Sequence, residues 1–117
     1  MNAAATTSSF PSLPIDKNLP EAERLRLAAD VSAQHFEHLL GFLSYLDSNS
    51  TAMVRRAWQF ADQAHRNQWR SSGDPYITHP IAVAGICANW KLDAQALSAA
   101  LLHDAMEDCG ITKDDLR

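Results

Sequence analysis

The side chains best suited to metal binding and proton transfer lie in the last third of the sequence. His79 follows a turn, and two adjacent pairs come later: His103 with Asp104, and Glu107 with Asp108. Imidazole nitrogen and carboxylate oxygen suit a divalent cation of borderline to hard character. The two pairs are four residues apart, and residues with that spacing are neighbours on one face of a helix. The pattern therefore predicts a helical turn that carries two metal ligands and two further carboxylates.

The segment before His79 is predicted to be a loop that leads directly into a helix. The run Ser71–Pro75 contains Ser, Gly and Asp, which favour turns, and Pro75 pushes the residue before it out of the α region. Thr78 is predicted to be the N-cap of the next helix, and Pro80 suits its first turn. His79 is therefore expected at the start of a helix, which is a rigid position for a ligand.

The paired residues are predicted to lie near the end of a separate, buried helix. This helix is expected from Ala94 to about Asp108, with Asp93 as its N-cap. The run Leu97–Leu102 is almost entirely apolar, which indicates a central position in the fold. A histidine and an aspartate at the end of a buried helix are costly unless they have partners. The adjacent His-Asp pair is therefore a candidate for function.

The first half of the chain is predicted to supply two further helices behind a flexible leader. Residues 1–20 contain Ser, Thr, Asn and three of the five prolines, which is typical of a flexible segment. A helical pattern then runs from about residue 21 to Leu46, as one helix or as two, since Gly41 weakens its middle. The next helix is expected from about Thr51 to Asn67, with Met53 on its buried face.

Several other candidate residues have two interpretations each. His35 and His38 lie three residues apart without a carboxylate partner nearby, which favours surface polar residues over ligands. His65 lies one turn before the loop that precedes His79, so it is either a hydrogen-bonded structural residue or a group that approaches the site. Arg70 heads the loop, where it is either a surface arginine or a guanidinium that stacks on a base or pairs with phosphate.

Composition restricts the classes of protein to which the chain can belong. The chain has 117 residues, 46% of them hydrophobic, and only 4 glycines, which favours one small all-α domain. Its net charge of −4 argues against nucleic-acid binding. The two cysteines are too few for a disulfide framework and fit a reducing compartment. Neither a membrane span nor a signal peptide is recognisable, so a cytoplasmic location is expected.

Two stretches of the sequence closely resemble one known family. The first reads H-R-N-Q-W-R-S-S-G-D-P-Y-I-T-H-P-I-A-V-A, and the second reads L-D-A-Q-A-L-S-A-A-L-L-H-D-A-M-E-D. In these motifs and their spacing, the chain resembles the hydrolase domain of the RelA/SpoT homologue family, the enzymes that make and degrade the alarmone (p)ppGpp. The resemblance covers about Val54 to Leu116. It implies an all-α helical domain of the HD superfamily that holds one manganese ion, Mn²⁺.

The resemblance also implies a reaction and roles for individual residues. The reaction is manganese-dependent hydrolysis of the 3′-pyrophosphate of (p)ppGpp, which leaves GDP or GTP and pyrophosphate. The implied metal ligands are His79, His103 and Asp104. The implied catalytic pair, beside the metal-bound water and the scissile pyrophosphate, is Glu107 and Asp108.

The loop that heads the motif supplies the implied substrate contacts. Arg70 is expected to stack on the guanine base of (p)ppGpp, and Ser71 beside it is taken as a second contact. The family's synthetase-only branch has degenerate HD and ED pairs, whereas both pairs are intact here. The chain therefore resembles the bifunctional or hydrolase-dominant branch, which acts in the stringent response, although the family's stand-alone small hydrolases share both pairs.

The sequence departs from the family pattern at its C-terminal end. The family's fourth metal ligand is an aspartate on a later helix, beyond Arg117. Residues 21–117 are therefore interpreted as the N-terminal part of the hydrolase domain, incomplete at the C-terminus, behind the leader. A helix starting at Thr112 is cut after one turn, which predicts an exposed apolar face at Leu97–Leu102 and self-association. The alternative interpretation is a truncated, non-catalytic remnant that acts only as a metal-binding or interaction module.

Overall fold

The computed structural model describes the backbone of residues 14–108 and the side chains of residues 14–105. This part of the chain folds into four helices, α1 (Glu21–Leu40), α2 (Ser48–Ala64), α3 (Thr78–Asn89) and α4 (Ala94–Asp108). The predicted all-α class is confirmed. Helix α4 is central, since it packs against both α2 and α3, while α1 packs mainly against α3. None of these helices is long and apolar enough to cross a membrane.

The core is built from apolar side chains of all four helices. Leu97 and Leu101 of α4 are fully buried, as are Val54 of α2 and Ala84 of α3. Burying a leucine side chain contributes roughly 1.5–3 kcal/mol, so α4 anchors the packing. The expected exposed face at Leu97–Leu102 is wrong for these two leucines, because the neighbouring helices already cover them. The helix predicted from residue 112, and residues 1–13 of the leader, lie outside the described residues.

Helix α1 is shorter than its apolar pattern predicted. The pattern extended to Leu46, but the helix ends at Leu40, and Gly41 follows with its N–H bonded to carbonyls of the last turn. The chain then continues in tight turns, with the amide of Leu43 bonded to the Leu40 carbonyl and that of Leu46 to the Leu43 carbonyl. These three-residue turns keep Leu43 buried in the core. The apolar residues therefore keep a nearly helical spacing in the sequence for several positions after the helix has ended.

Helix α2 begins three residues earlier than predicted, because a side chain caps it. Asp47 precedes the helix, and its Oδ1 accepts a hydrogen bond from the Ser50 amide at 2.7 Å. This bond holds the pKa of the Asp47 carboxyl below its usual value, since it stabilises the charged form. Met53 was expected on the buried face but is 37% exposed, so that prediction is wrong.

The helix starts that position the candidate site were predicted almost correctly. Asp93 caps α4 as expected, since its Oδ1 accepts a hydrogen bond from the Ala96 amide at 2.9 Å. Thr78 is not the N-cap of α3 but its first helical residue, and the helix is preceded by Ile77. The Thr78 hydroxyl donates instead to the Pro75 carbonyl at 2.8 Å. This bond ties the loop to the first turn of α3.

Candidate active site

Asp104 is the centre of the candidate site. Its side chain, near the end of α4, is only 14% exposed. The Tyr76 hydroxyl donates to its Oδ2 at 2.9 Å. The Nε2 of His79, at the start of α3, lies 3.7 Å from the same oxygen, and the Nε2 of His103 lies 3.0 Å from Oδ1. The structure thus brings the three predicted metal ligands together, from two helices that are separate in sequence.

The orientation of His103 indicates which of its ring nitrogens is available. Its Nδ1 lies 3.0 Å from the Ala100 carbonyl oxygen, which can only accept a hydrogen bond. Nδ1 must therefore carry a proton. In the neutral ring, Nε2 then has a lone pair, which would repel the Asp104 Oδ1 at 3.0 Å unless a cation binds both atoms. Histidines that bind a metal through one nitrogen commonly donate the other N–H to a carbonyl in this way. The arrangement suits a cation placed beside Nε2.

Sequence analysis did not single out Tyr76, although its side chain contacts the Asp104 carboxylate and packs beside the rings of His65 and His79. Its ring lies 5.8 Å from that of His79 and 4.8 Å from that of His65, centroid to centroid. The available signal was an aromatic residue three positions before a candidate ligand, which is too common to single out. Its hydroxyl fixes the rotation of the Asp104 side chain, and its ring supports His79.

His65 belongs to the support of the site. It is buried, and its Nδ1 lies 3.0 Å from the Gln68 Oε1. Its ring packs against Tyr76, which in turn reaches Asp104. The interpretation of His65 as a hydrogen-bonded structural residue accounts for this position.

The loop between α2 and α3 is closed by its own backbone. The Arg70 amide donates to the Asp74 carbonyl at 2.8 Å, and the Tyr76 amide to the Gln68 carbonyl at 2.9 Å. Gly73 has a φ of 95°, a conformation that side-chain-bearing residues rarely adopt. A Cβ there would also lie 3.2 Å from Pro14. The turn therefore requires glycine at this position, and it holds Arg70 at a defined place beside α3.

The loop and His79 line a shallow, open cavity of about 360 Å³. Its lining residues are Trp69, Arg70, Ser71, Tyr76 and His79. The two predicted substrate-binding residues therefore share one cavity with a predicted metal ligand. The lining combines a guanidinium, the hydroxyls of Ser71 and Tyr76 and the rings of Trp69 and Tyr76, groups that can pair with phosphate and stack on a base.

A larger groove of about 600 Å³ lies between α1 and α3 and shares part of this wall. Arg70 and His79 line it together with His35, Phe42 and Ile86. Burial lowers the pKa of His35 from its usual value, and the Asp74 carboxylate acts in the opposite direction. His35 is thus a half-buried groove residue rather than a purely surface one.

Both predicted catalytic residues are only partly described. Glu107 and Asp108 lie in α4, as expected, but their side chains lie outside the described residues. Their predicted stacking over the His-Asp pair, and their catalytic role, therefore stay predictions.

The donor types suit the implied cation, although the side chains do not enclose one as they stand. Among the side chains of residues 14–105, no three of His, Cys, Asp or Glu form a complete metal site. His79 and His103 instead approach opposite oxygens of Asp104. Two imidazole nitrogens and one carboxylate nevertheless form a mixed nitrogen and oxygen set, of the kind that binds divalent transition-metal ions.

Comparison with known proteins identifies the class of protein to which this site belongs. The sequence model of the HD domain matches residues 57–117. The chain belongs to the HD domain family. The matched region includes the α2–α3 loop and all of α3 and α4, which carry the side chains around Asp104.

Individual relatives point to one branch of that family. The chain is 51% identical over 72 residues to guanosine-3′,5′-bis(diphosphate) 3′-pyrophosphohydrolase of Vibrio cholerae, and 51% identical over 73 residues to the bifunctional (p)ppGpp synthase/hydrolase SpoT of Escherichia coli. Each alignment covers 62% of this chain and 10% of the relative. The bifunctional (p)ppGpp synthase/hydrolase RelA of Mycobacterium tuberculosis is 56% identical over 59 residues, which is 50% of this chain and 8% of the relative. The resemblance to the RelA/SpoT homologue family is thereby confirmed, and the chain spans about a tenth of the length of these relatives.

Proposed function

We propose that this chain forms the N-terminal part of a (p)ppGpp hydrolase domain within a longer bifunctional alarmone synthetase/hydrolase. The reaction is hydrolysis of the 3′-pyrophosphate of (p)ppGpp, which leaves GDP or GTP and pyrophosphate. The observation that carries the proposal is the convergence of His79 and His103 on Asp104, next to the cavity that holds Arg70 and Ser71. The relatives named for this reaction support it.

The proposed cofactor is one Mn²⁺ ion, held by His79, His103 and Asp104. When bound, such a cation lowers the pKa of a coordinated water and polarises a phosphoryl oxygen. Two contacts of the chain prepare these ligands: the Ala100 carbonyl fixes the tautomer of His103, and the Tyr76 hydroxyl fixes the Asp104 carboxylate.

The remaining roles fall to residues on either side of this cluster. The guanidinium of Arg70 stacks on the guanine base or pairs with phosphate, and Ser71 supplies a hydroxyl contact within the same cavity. The carboxylates of Glu107 and Asp108 position the attacking water and accept its proton. Because an α-helix places residues four apart on one face, both carboxylates follow the HD pair by one turn.

One observation favours a second candidate function, that of a metal-binding or interaction module without turnover. The described side chains supply three donors from two helices, and in their present positions they do not enclose an ion. A chain of this kind would bind a divalent cation weakly and leave (p)ppGpp intact.

A pyrophosphate-release assay distinguishes the two functions. The protein expressed from its complete reading frame is incubated with ppGpp, with and without Mn²⁺, and compared with His103→Gln. We expect manganese-dependent release in the wild type and at least a hundredfold less in the variant, since an amide cannot replace the imidazole ligand. Manganese binding without pyrophosphate release would favour the module, and release that is unaffected by His103→Gln would refute the assignment of the site.

A further inference from the structure

The N-terminal turns of α1 contact the loop that forms the proposed nucleotide cavity. The guanidinium carbon of Arg24 lies 5.5 Å from the centroid of the Trp69 ring. One turn earlier, the Glu21 carboxylate accepts a hydrogen bond from the Asn67 side-chain amide at 3.5 Å. These two contacts join α1 to the segment immediately before Arg70, more than 40 residues further along the chain.

The environment of Arg24 differs from that of an ordinary surface arginine. Its Nε is buried and has no hydrogen-bond partner within the described part of the chain. Such burial costs free energy unless another interaction offsets it. The face of an indole ring attracts a guanidinium at this distance, which provides that offset. By contrast, the side chain of Arg26, two residues later, is 62% exposed and pairs with Glu23 and Asp30 on its own helix.

Trp69 connects this contact to the cavity. Its backbone forms an isolated β-bridge with Pro75, so it belongs to the closed part of the loop. Its side chain lines the 360 Å³ cavity together with Arg70 and Ser71. A shift of the indole would therefore change the cavity wall directly and would displace the two residues that follow Trp69 in the chain.

We propose that Arg24 is a positioning residue for the nucleotide-binding loop. Its guanidinium stacks on Trp69 and so holds Arg70 and Ser71 in the orientation that binds substrate. Arg24 itself does not touch the reacting atoms. The inference rests on the proposed function, and it extends the functional unit to α1, which lies outside the matched HD region of residues 57–117.

The test compares Arg24→Met and Arg24→Lys with the matched control Arg26→Met. Methionine keeps most of the length of the side chain but removes the charge, whereas lysine keeps the charge without the flat guanidinium. Trp69 is observed by ¹⁹F NMR after labelling with 5-fluorotryptophan, and a Trp69→Phe variant assigns its signal among the three tryptophans. Steady-state kinetics with ppGpp and Mn²⁺ are measured on the same proteins.

We expect Arg24→Met to move the Trp69 signal and raise KM about two- to fivefold, with kcat changed less than twofold. Arg24→Lys should give a smaller change in the Trp69 signal and in KM, and Arg26→Met should leave the signal and KM at wild-type values. Thermal unfolding identifies any variant that has lost its fold. If Arg24→Met is unfolded, the Trp69 signal and the KM of Arg24→Lys test the proposal instead. An unmoved Trp69 signal in the folded variants, or a moved signal with unchanged KM, would overturn the proposal.

The two readouts separate this proposal from the proposed function. If the wild type releases no pyrophosphate, the proposed function fails, and the proposed effect on substrate binding fails with it. The ¹⁹F signal still decides whether Arg24 positions Trp69. If the wild type is active but the variants match it in KM, the function stands and the positioning role is refuted.

Discussion

Tyr76→Phe tests the support of the proposed metal site with the smallest possible change. The substitution removes one hydroxyl, which donates to the Asp104 Oδ2 at 2.9 Å, and keeps the ring that packs between His65 and His79. A hydrogen bond to a charged acceptor contributes about 1.5–3 kcal/mol. Since the Asp104 side chain is 14% exposed, water can replace part of the lost interaction, which favours the lower end of that range.

The expected result is a loss of about tenfold in manganese affinity, which corresponds to ~1.4 kcal/mol. Isothermal titration calorimetry with Mn²⁺ measures it, and pyrophosphate release at saturating metal shows how much activity remains. Tyr45→Phe is the matched control, because the Tyr45 hydroxyl donates to the Leu92 carbonyl at 2.6 Å. That bond lies just before the opposite end of α4, whose first residue is about 15 Å along the helix from Asp104. Equal manganese affinity in the wild type, Tyr76→Phe and Tyr45→Phe would refute the idea that Tyr76 orients a metal ligand.

Three further predictions concern the substrate, the proton and the groove. Arg70→Ala should raise KM for ppGpp about 5- to 30-fold with manganese content unchanged; an unaltered KM would place the nucleotide elsewhere. Asp108→Asn should keep the metal but lower kcat about 10²–10⁴-fold, and normal turnover with normal metal content would make this carboxylate structural. Burial lowers the pKa of His35 below its usual value of about 6.5, so the folded state resists protonation of this ring. As the pH falls below about 6.5, the unfolded chain takes up this proton more readily than the folded one, and the folded state loses stability. His35→Gln should therefore lose less stability than wild type between about pH 7.5 and 5 in urea titrations, and parallel losses would contradict this account.

Local sequence chemistry was sufficient to predict the elements that carry the site. The apolar run and the Asp93 cap defined α4 correctly, and Pro75 with Gly73 correctly predicted a loop before α3. These features depend on interactions within a few residues, so they can be recognised without knowledge of the tertiary structure. The approach of His79 to Asp104 is a long-range contact, and it was expected only because both residues match a known family.

The predictions that failed depended on how the chain packs. The apolar period continued past Leu40 because Leu43 also faces the core, although tight turns and not a helix place it there. Periodicity reports which side chains are buried rather than which hydrogen bonds the backbone makes. Tyr76 and Arg24 were missed for a related reason. Their importance comes from partners 28 and 45 residues away, and no local pattern marks such a pair.

Product analysis tests the central claim most directly. The protein from its complete reading frame is incubated with ppGpp and Mn²⁺, and the phosphorus-containing products are separated and quantified over time by anion-exchange chromatography. GDP and pyrophosphate are expected to appear in equal amounts, and both at least a hundredfold more slowly with His103→Gln. Release of orthophosphate, loss of the 5′-phosphates, or the same products at the wild-type rate from the His103 variant would contradict a 3′-pyrophosphate hydrolase built around Asp104.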